Sequence, residues 1–182
     1  MAVSKSKKKW YNVVAPIFRG AVIGETLGYD QNDLKNRNLD LNFMSITNDP
    51  KTQNIRVLFK INDVKDNNAI VEVIGYELTL SYVKRVIRKD ANKIADSYEY
   101  KTKDNVKVVV KPLVITRYKT NKSVLQSLRK NIRAFLEEEI KKNNFNDFIN
   151  LIVYNKVQKA LREKLKKIYP ISACEFRIVK KV

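Results

Sequence analysis

The chain has 182 residues, 44% of them apolar and 9% aromatic, enough to build a core of ordinary size, which excludes a disordered basic tail. Its 37 Lys and Arg stand against 19 Asp and Glu for a formal charge of +18, and with no histidine and one cysteine it has neither an internal disulfide framework nor the usual structural zinc set. No apolar run of about 18 residues occurs, and the basic opening leads into Trp10 and Tyr11 instead of an apolar signal core, so a reducing, cytoplasmic setting without membrane spanning is expected.

Residues 1–9 form a short polar lead ending in Lys7, Lys8 and Lys9, read as a flexible basic arm. Strand-like segments follow at 10–15, 21–27, 39–47, 55–64, 69–76, 97–103 and 106–116, rich in Val, Ile, Tyr and Phe. In the fourth, Ile55, Val57, Phe59 and Ile61 alternate with Arg56, Lys60 and Asn62, the period of a half-buried strand. Polar separators at 30–38, 48–54 and 63–68 mark the turns. Many short strands at this spacing predict an antiparallel barrel or strongly curved sheet.

Thr79 is placed to cap a short helix reaching Arg88, with Leu80, Val83 and Ile87 on one face and Lys84, Arg85, Arg88 and Lys89 in an exposed cluster. From Ser123 the period turns helical. Leu125, Leu128, Ile132, Phe135, Leu136 and Ile140 form an apolar stripe, while Lys122, Arg129 and Arg133 share an adjacent face. Asn146 reads as the N-cap of a helix over 147–155, whose stripe continues through Val157, Leu161, Leu165 and Ile168 until Tyr169 and Pro170 stop it. The close alternates again and predicts a last strand over 172–181 that returns to the sheet. The whole reads as α+β: a 1–9 arm, then one domain over 10–182, strand-rich at 10–116, helical at 122–168 and closed by that strand.

Charge is unevenly spread along this order. Residues 1–104 carry 18 cations and 13 acids, whereas residues 105–182 carry 19 and 6. The window 105–136 holds eight cations and no acid: Lys107, Lys111, Arg117, Lys119, Lys122, Arg129, Lys130 and Arg133. A surplus of this size repels itself unless a polyanion neutralises it, which points to nucleic acid.

The residues offer little for catalysis. Without histidine, acid–base work falls to carboxylates, lysine or tyrosine, and Cys174 sits at an alternating strand position where a small buried thiol is the ordinary expectation. Gly20, Gly24, Gly28 and Gly75 match no phosphate-loop spacing. The run Glu137, Glu138, Glu139 turns about 100° per residue and cannot converge on one ion, so a solvated face pairing with Lys141 and Lys142 is expected and no metal or cofactor is assigned. Trp10 and Tyr11, directly after three lysines, admit two readings: stacking on an unpaired base, or filling the core at a strand start.

Several motifs occur together in order. Lys7-Lys8-Lys9-Trp10-Tyr11-Asn12-Val13-Val14-Ala15-Pro16 is followed by Gly24-Glu25-Thr26-Leu27, Gly75-Tyr76-Glu77-Leu78-Thr79, Thr102-Lys103-Asp104-Asn105, Lys111-Pro112-Leu113, Leu128-Arg129-Lys130 and Lys167-Ile168-Tyr169-Pro170. This series resembles the small-subunit ribosomal protein family shared by archaea and eukaryotes, called S-three-a or S-one-e. It covers residues 7 to about 181. Asn105 stands where the family has glycine, and asparagine tolerates a left-handed turn. Arg88-Lys89-Asp90-Ala91 loosely replaces an arginine- and serine-rich segment, and the sequence lacks the long eukaryotic C-terminal extension, so the archaeal form is the nearer resemblance.

The resemblance implies a non-enzymatic constituent of the small ribosomal subunit with a β-barrel-like core and helices. It would bind small-subunit rRNA on the platform near the mRNA exit, beside neighbouring platform proteins and mRNA, without self-oligomerising. The residues expected on rRNA are Lys7, Lys8, Lys9, Trp10, Arg85, Arg88, Arg117, Lys119, Lys122, Arg129, Lys130 and Arg133. Two rivals differ in class: a free-standing RNA-binding or translation-regulating module, and an RNA-modifying or RNA-cleaving enzyme using carboxylates or lysine. The acid-free window argues against the enzyme.

Overall fold

The computed structural model describes residues 7–18 and 20–182, so most of the expected 1–9 arm lies outside the described residues. The chain divides into two compact units, 1–74 and 75–182. The first contains β1 (Lys9–Ala15), a 3-10 turn (Pro16–Phe18), β2 (Ala21–Gly28), α1 (Gln31–Leu34), β3 (Asn38–Asn42), α2 (Met44–Thr47), a second 3-10 turn (Pro50–Thr52) and β4 (Ile55–Lys65). Strand β5 (Asn68–Leu78) runs from the first unit into the second.

The first unit follows its alternation. Ile55, Val57, Phe59 and Ile61 are buried while Arg56 and Asn62 are exposed, and Phe18 meets Phe43 and Phe59 at ring distances of 5.3 and 6.3 Å. The strand order is β2-β1-β5-β4-β3; β1 with β2 and β3 with β4 pair antiparallel, while β1 runs parallel to β5. Gly28 permits a close approach, since a Cβ there would stand 2.9 Å from the Leu34 side chain. The expected strand over 39–47 is corrected: β3 ends at Asn42, whose side-chain carbonyl accepts the Met44 N–H at 3.0 Å and whose backbone carbonyl accepts the Ser45 hydroxyl at 2.6 Å. These bonds turn the chain into α2, which Asn48 closes with φ 55°.

The second unit continues from β5 through α3 (Leu80–Val86), β6 (Lys93–Ile94), β7 (Tyr98–Lys101), β8 (Lys107–Thr116), α4 (Lys122–Lys142), α5 (Phe145–Val153), α6 (Lys156–Lys166) and β9 (Ile171–Lys181). The last strand returns between β5 and β8, antiparallel to both, and β6 and β7 both pair with β8. The α+β class holds, and the sheet is open and not closed on itself among the described residues. The β8–β9 register slips between Lys111 and Pro112, where proline has no N–H to give the ladder.

Of the expected helical stripe, Leu128, Ile132, Phe135, Leu136 and Ile140 are buried, and Leu125 is half-buried. The expected helix over 147–155 is α5, and the stripe that continues through Val157, Leu161 and Leu165 belongs to a separate helix, α6, with Ile168 beyond its end. The N-cap of α5 is Asn144, not Asn146, and the break falls at Asn155, in the left-handed region with φ 58°. Gln158 Nε2 donates to the Ile152 carbonyl at 2.8 Å, which also accepts the Asn155 N–H at 2.9 Å, so α6 is tied back to the end of α5. Asn105 takes φ 57°, the left-handed turn expected of it.

Candidate nucleic-acid interface

Three segments distant in sequence meet at one end of the second unit. The Asn92 N–H donates to Thr116 Oγ1 at 2.9 Å, the Thr116 N–H returns to the Asn92 carbonyl at 3.0 Å, and the Thr120 N–H donates to Asn92 Oδ1 at 2.7 Å. From the other side the Arg117 N–H donates to the Pro170 carbonyl at 3.0 Å and the Tyr169 hydroxyl to the Lys119 carbonyl at 3.3 Å. The residues after α3, the loop between β8 and α4, and the end of α6 are thus tied together. Their exposed cations are Arg88, Lys89, Arg117, Lys119, Lys122, Lys166 and Lys167, and the one acid in the three segments is Asp90. None of these cations has an ion pair among the described residues. Tyr118, 59% exposed, stands among them with the Arg117 guanidinium 5.7 Å from its ring centre.

Sequence alone separates these groups by dozens of residues. Lys166, Lys167 and Tyr118 are the members it missed, and the signal it held was the polar pair Asn92 and Thr116 at strand ends, which gives no hint of its partner. Arg85 lies exposed on α3, 5.4 Å from the Tyr82 ring centre.

On α4, Lys130, Arg133 and Arg129 are exposed; Lys130 and Arg133 have no ion pair among the described residues, whereas Arg129 Nε donates to Asp96 Oδ2 at 3.1 Å, and Asp96 also accepts the Tyr98 hydroxyl at 3.1 Å. Burial, then the Asp96 charge, pushes the Tyr98 phenol up to about 12. The acid-free window therefore receives an acid from outside itself, which offsets the charge of Arg129. The run Glu137 to Glu139 is a paired surface as expected, with Glu137 on Lys141 at 2.7 Å and Glu139 on Lys142 at 3.7 Å; Glu138 adds Lys164 at 3.4 Å.

In the first unit, Lys7, Lys8 and Lys9 are exposed, and Trp10 is 60% exposed on β1. The core-filling alternative for Trp10 is thereby excluded; Tyr11, Val13 and Ala15 are the residues β1 buries. The alternation of β1 held that signal, because Trp10 shares the phase of Asn12 and not of Val13. Trp10 lies opposite the exposed Leu27 on β2, and beyond that strand Lys8 Nζ stands 5.2 Å from the ring centre of exposed Tyr29. Aromatic faces beside lysines are the elements of a base-stacking site.

Cys174 is 5% exposed, and burial, reinforced by the Glu175 charge, pushes its thiol up to about 12, far from thiolate. Burial also raises Glu175 itself to about 7, against the pull of Arg162. The described residues contain no cluster of metal-ligating side chains and no helix long and apolar enough to cross a membrane.

A family model described as the Ribosomal S3Ae family matches residues 4–182. The chain belongs to that family. It is 32% identical over 92% of its length to a protein of Staphylothermus marinus named small ribosomal subunit protein eS1, of which 80% is covered. Proteins of the same name from Saccharolobus islandicus strain L.S.2.15 and from Natronomonas pharaonis are 30% and 31% identical, over 95% and 97% of this chain and 84% and 87% of theirs. The motif series running from Lys7 to Pro170 lies within the matched residues.

Proposed function

We propose that this protein is a structural constituent of the small ribosomal subunit that binds folded rRNA and catalyses no reaction. The observation that carries the reading is the stitched end of the second unit, where seven exposed cations from three segments face one nearby acid. Such a surface neutralises phosphates and releases counterions, an affinity independent of base sequence. Arginine adds bidentate phosphate contacts and lysine adds point charge.

In the first unit, Lys7, Lys8 and Lys9 track phosphate beside Trp10, which stacks on an unpaired base. Arg85, Arg88, Arg117, Lys119, Lys122, Lys130 and Arg133 make phosphate contacts, and Arg129 joins them by exchanging Asp96 for phosphate. Membership of the family, together with relatives named small ribosomal subunit protein eS1, supports a place in the cytoplasmic ribosome. The finer position is the platform near the mRNA exit, with neighbouring platform proteins and mRNA as further partners.

The test is co-sedimentation of the tagged native protein with small subunits through a gradient in high salt. Retention in the subunit peak is expected. Release to the top of the gradient, with RNA binding intact in low salt, contradicts the ribosomal role and favours a free-standing RNA-binding module.

A further inference from the structure

Helix α6 sorts its cations into two groups. Lys164 turns toward α4, pairing with Glu138 and standing 4.8 Å from the Phe135 ring centre. Arg162 donates to the carbonyls of Ile171 and Ser172 at 3.4 and 3.2 Å. These two side chains fasten the helix. Lys156, Lys159, Lys166 and Lys167 do neither: all are exposed and none has an ion pair among the described residues.

The placement of those four follows from what the helix buries. Val157, Gln158, Leu161 and Leu165 are buried, which turns the opposite side outward. At about 100° per residue, the four lysines fall within an arc of roughly 100°, and at about 1.5 Å per residue they span some 16 Å along the axis. The same arc holds one carboxylate, Glu163, exposed and without an ion pair among the described residues, and no aromatic side chain.

The contrast with the end of α4 gives this arc its meaning. There each glutamate of the run has a lysine partner, so the charge is balanced within the fold. On α6 it is not. Lys166 and Lys167 also belong to the stitched end, so the arc is continuous with it. An aromatic-free row of point charges suits backbone phosphates and offers nothing to bases.

We infer that the outer face of α6 docks the phosphate backbone of an RNA duplex and extends the stitched end along the helix. The inference rests on the rRNA-binding role proposed above and assigns it a surface and a type of RNA. Phosphates approach Lys156, Lys159, Lys166 and Lys167, and Glu163 opposes them by like charge.

The experiment uses the full chain and two probes, an RNA duplex of about 16 base pairs and a single strand of the same length, titrated across salt. Replacing Lys156, Lys159, Lys166 and Lys167 with glutamine is expected to weaken duplex binding at least about tenfold near physiological salt. The salt slope should fall by about 3 to 4, at roughly 0.7 to 0.9 per lost phosphate contact. Glu163→Gln is expected to tighten duplex binding, a gain that misfolding cannot produce.

An unchanged slope in the quadruple variant with a neutral Glu163→Gln overturns the inference, while intact wild-type binding to rRNA leaves the proposed function standing. Equal losses on the single strand overturn the duplex assignment. A wild-type chain that binds neither probe nor rRNA removes both.

Discussion

The two units differ in charge as well as in architecture. Residues 1–74 carry 11 cations and 8 acids, whereas residues 75–182 carry 26 and 11. The first unit exposes a tryptophan beside lysines at the start of β1; the second gathers unpaired cations at one end and along α6. The difference separates two recognition chemistries that the whole-chain charge merges. Stacking energy is insensitive to salt, while phosphate neutralisation is strongly sensitive to it.

The largest expected effect is on the phosphate side. Replacing Arg117, Lys119 and Lys122 with glutamine should weaken binding to a small-subunit rRNA fragment by more than about tenfold near physiological salt, as read by filter binding or anisotropy. A loss no larger than that of three glutamines at Lys35, Lys51 and Lys65 in the first unit would remove the contrast between the units.

On the stacking side, Trp10→Ala should cost about 1 to 3 kcal/mol against RNA with an unpaired segment, with partial rescue by Trp10→Phe. Because Trp10 is exposed, the melting temperature should scarcely move. A large fall in melting temperature with unchanged RNA affinity would return Trp10 to a purely structural role.

Glu175 sharpens the charge contrast in another way. Its folded value is raised from the ordinary 4.5 to about 7 by burial, so the fold favours the protonated form. The stability this represents is complete below about pH 4.5 and is lost as pH rises through about 7. Near neutrality Glu175 is partly uncharged, which makes the surplus of the second unit larger than its formal count. Glu175→Gln should therefore be close to wild type at pH 4 and more stable at pH 8, by about 1 to 3 kcal/mol in urea unfolding. Equal stability differences at both pH values would show that its burial carries no titration cost.

The smallest effect expected concerns α4. Arg129→Gln should reduce RNA affinity less than Lys130→Gln, because Arg129 already spends its charge on Asp96. Asp96→Asn should narrow that gap, and a binding series shows whether it does.

Local chemistry was the legible part of this fold. Alternation placed β4, the apolar stripe placed α4, and Asn105 at a left-handed turn followed from what asparagine tolerates, whereas the phase of β1 stayed open between Trp10 and Tyr11. What was not legible depended on partners far along the chain or on single side-chain bonds. Asn42 ends β3 by bonding Met44 and Ser45, and Asn155 splits an unbroken apolar stripe by taking a positive φ.

The candidate site divides in the same manner. Exposed lysines and arginines could be nominated from sequence, but Asp96 reaches Arg129 from 33 residues away, and Asn92 and Tyr169 join loops that no periodicity connects. The cations of α6 cannot be sorted from sequence, because unpaired and paired lysines read alike until their neighbours are placed.

The most direct test of the two chemistries is the salt dependence of binding to one rRNA fragment, measured for the wild type, for Trp10→Ala and for the Arg117, Lys119 and Lys122 glutamine variant. Trp10→Ala should give a line parallel to the wild type but displaced to weaker binding, and the triple variant a line shallower by about 2 to 3. Parallel lines for all three, or a wild-type slope near zero, would contradict the account.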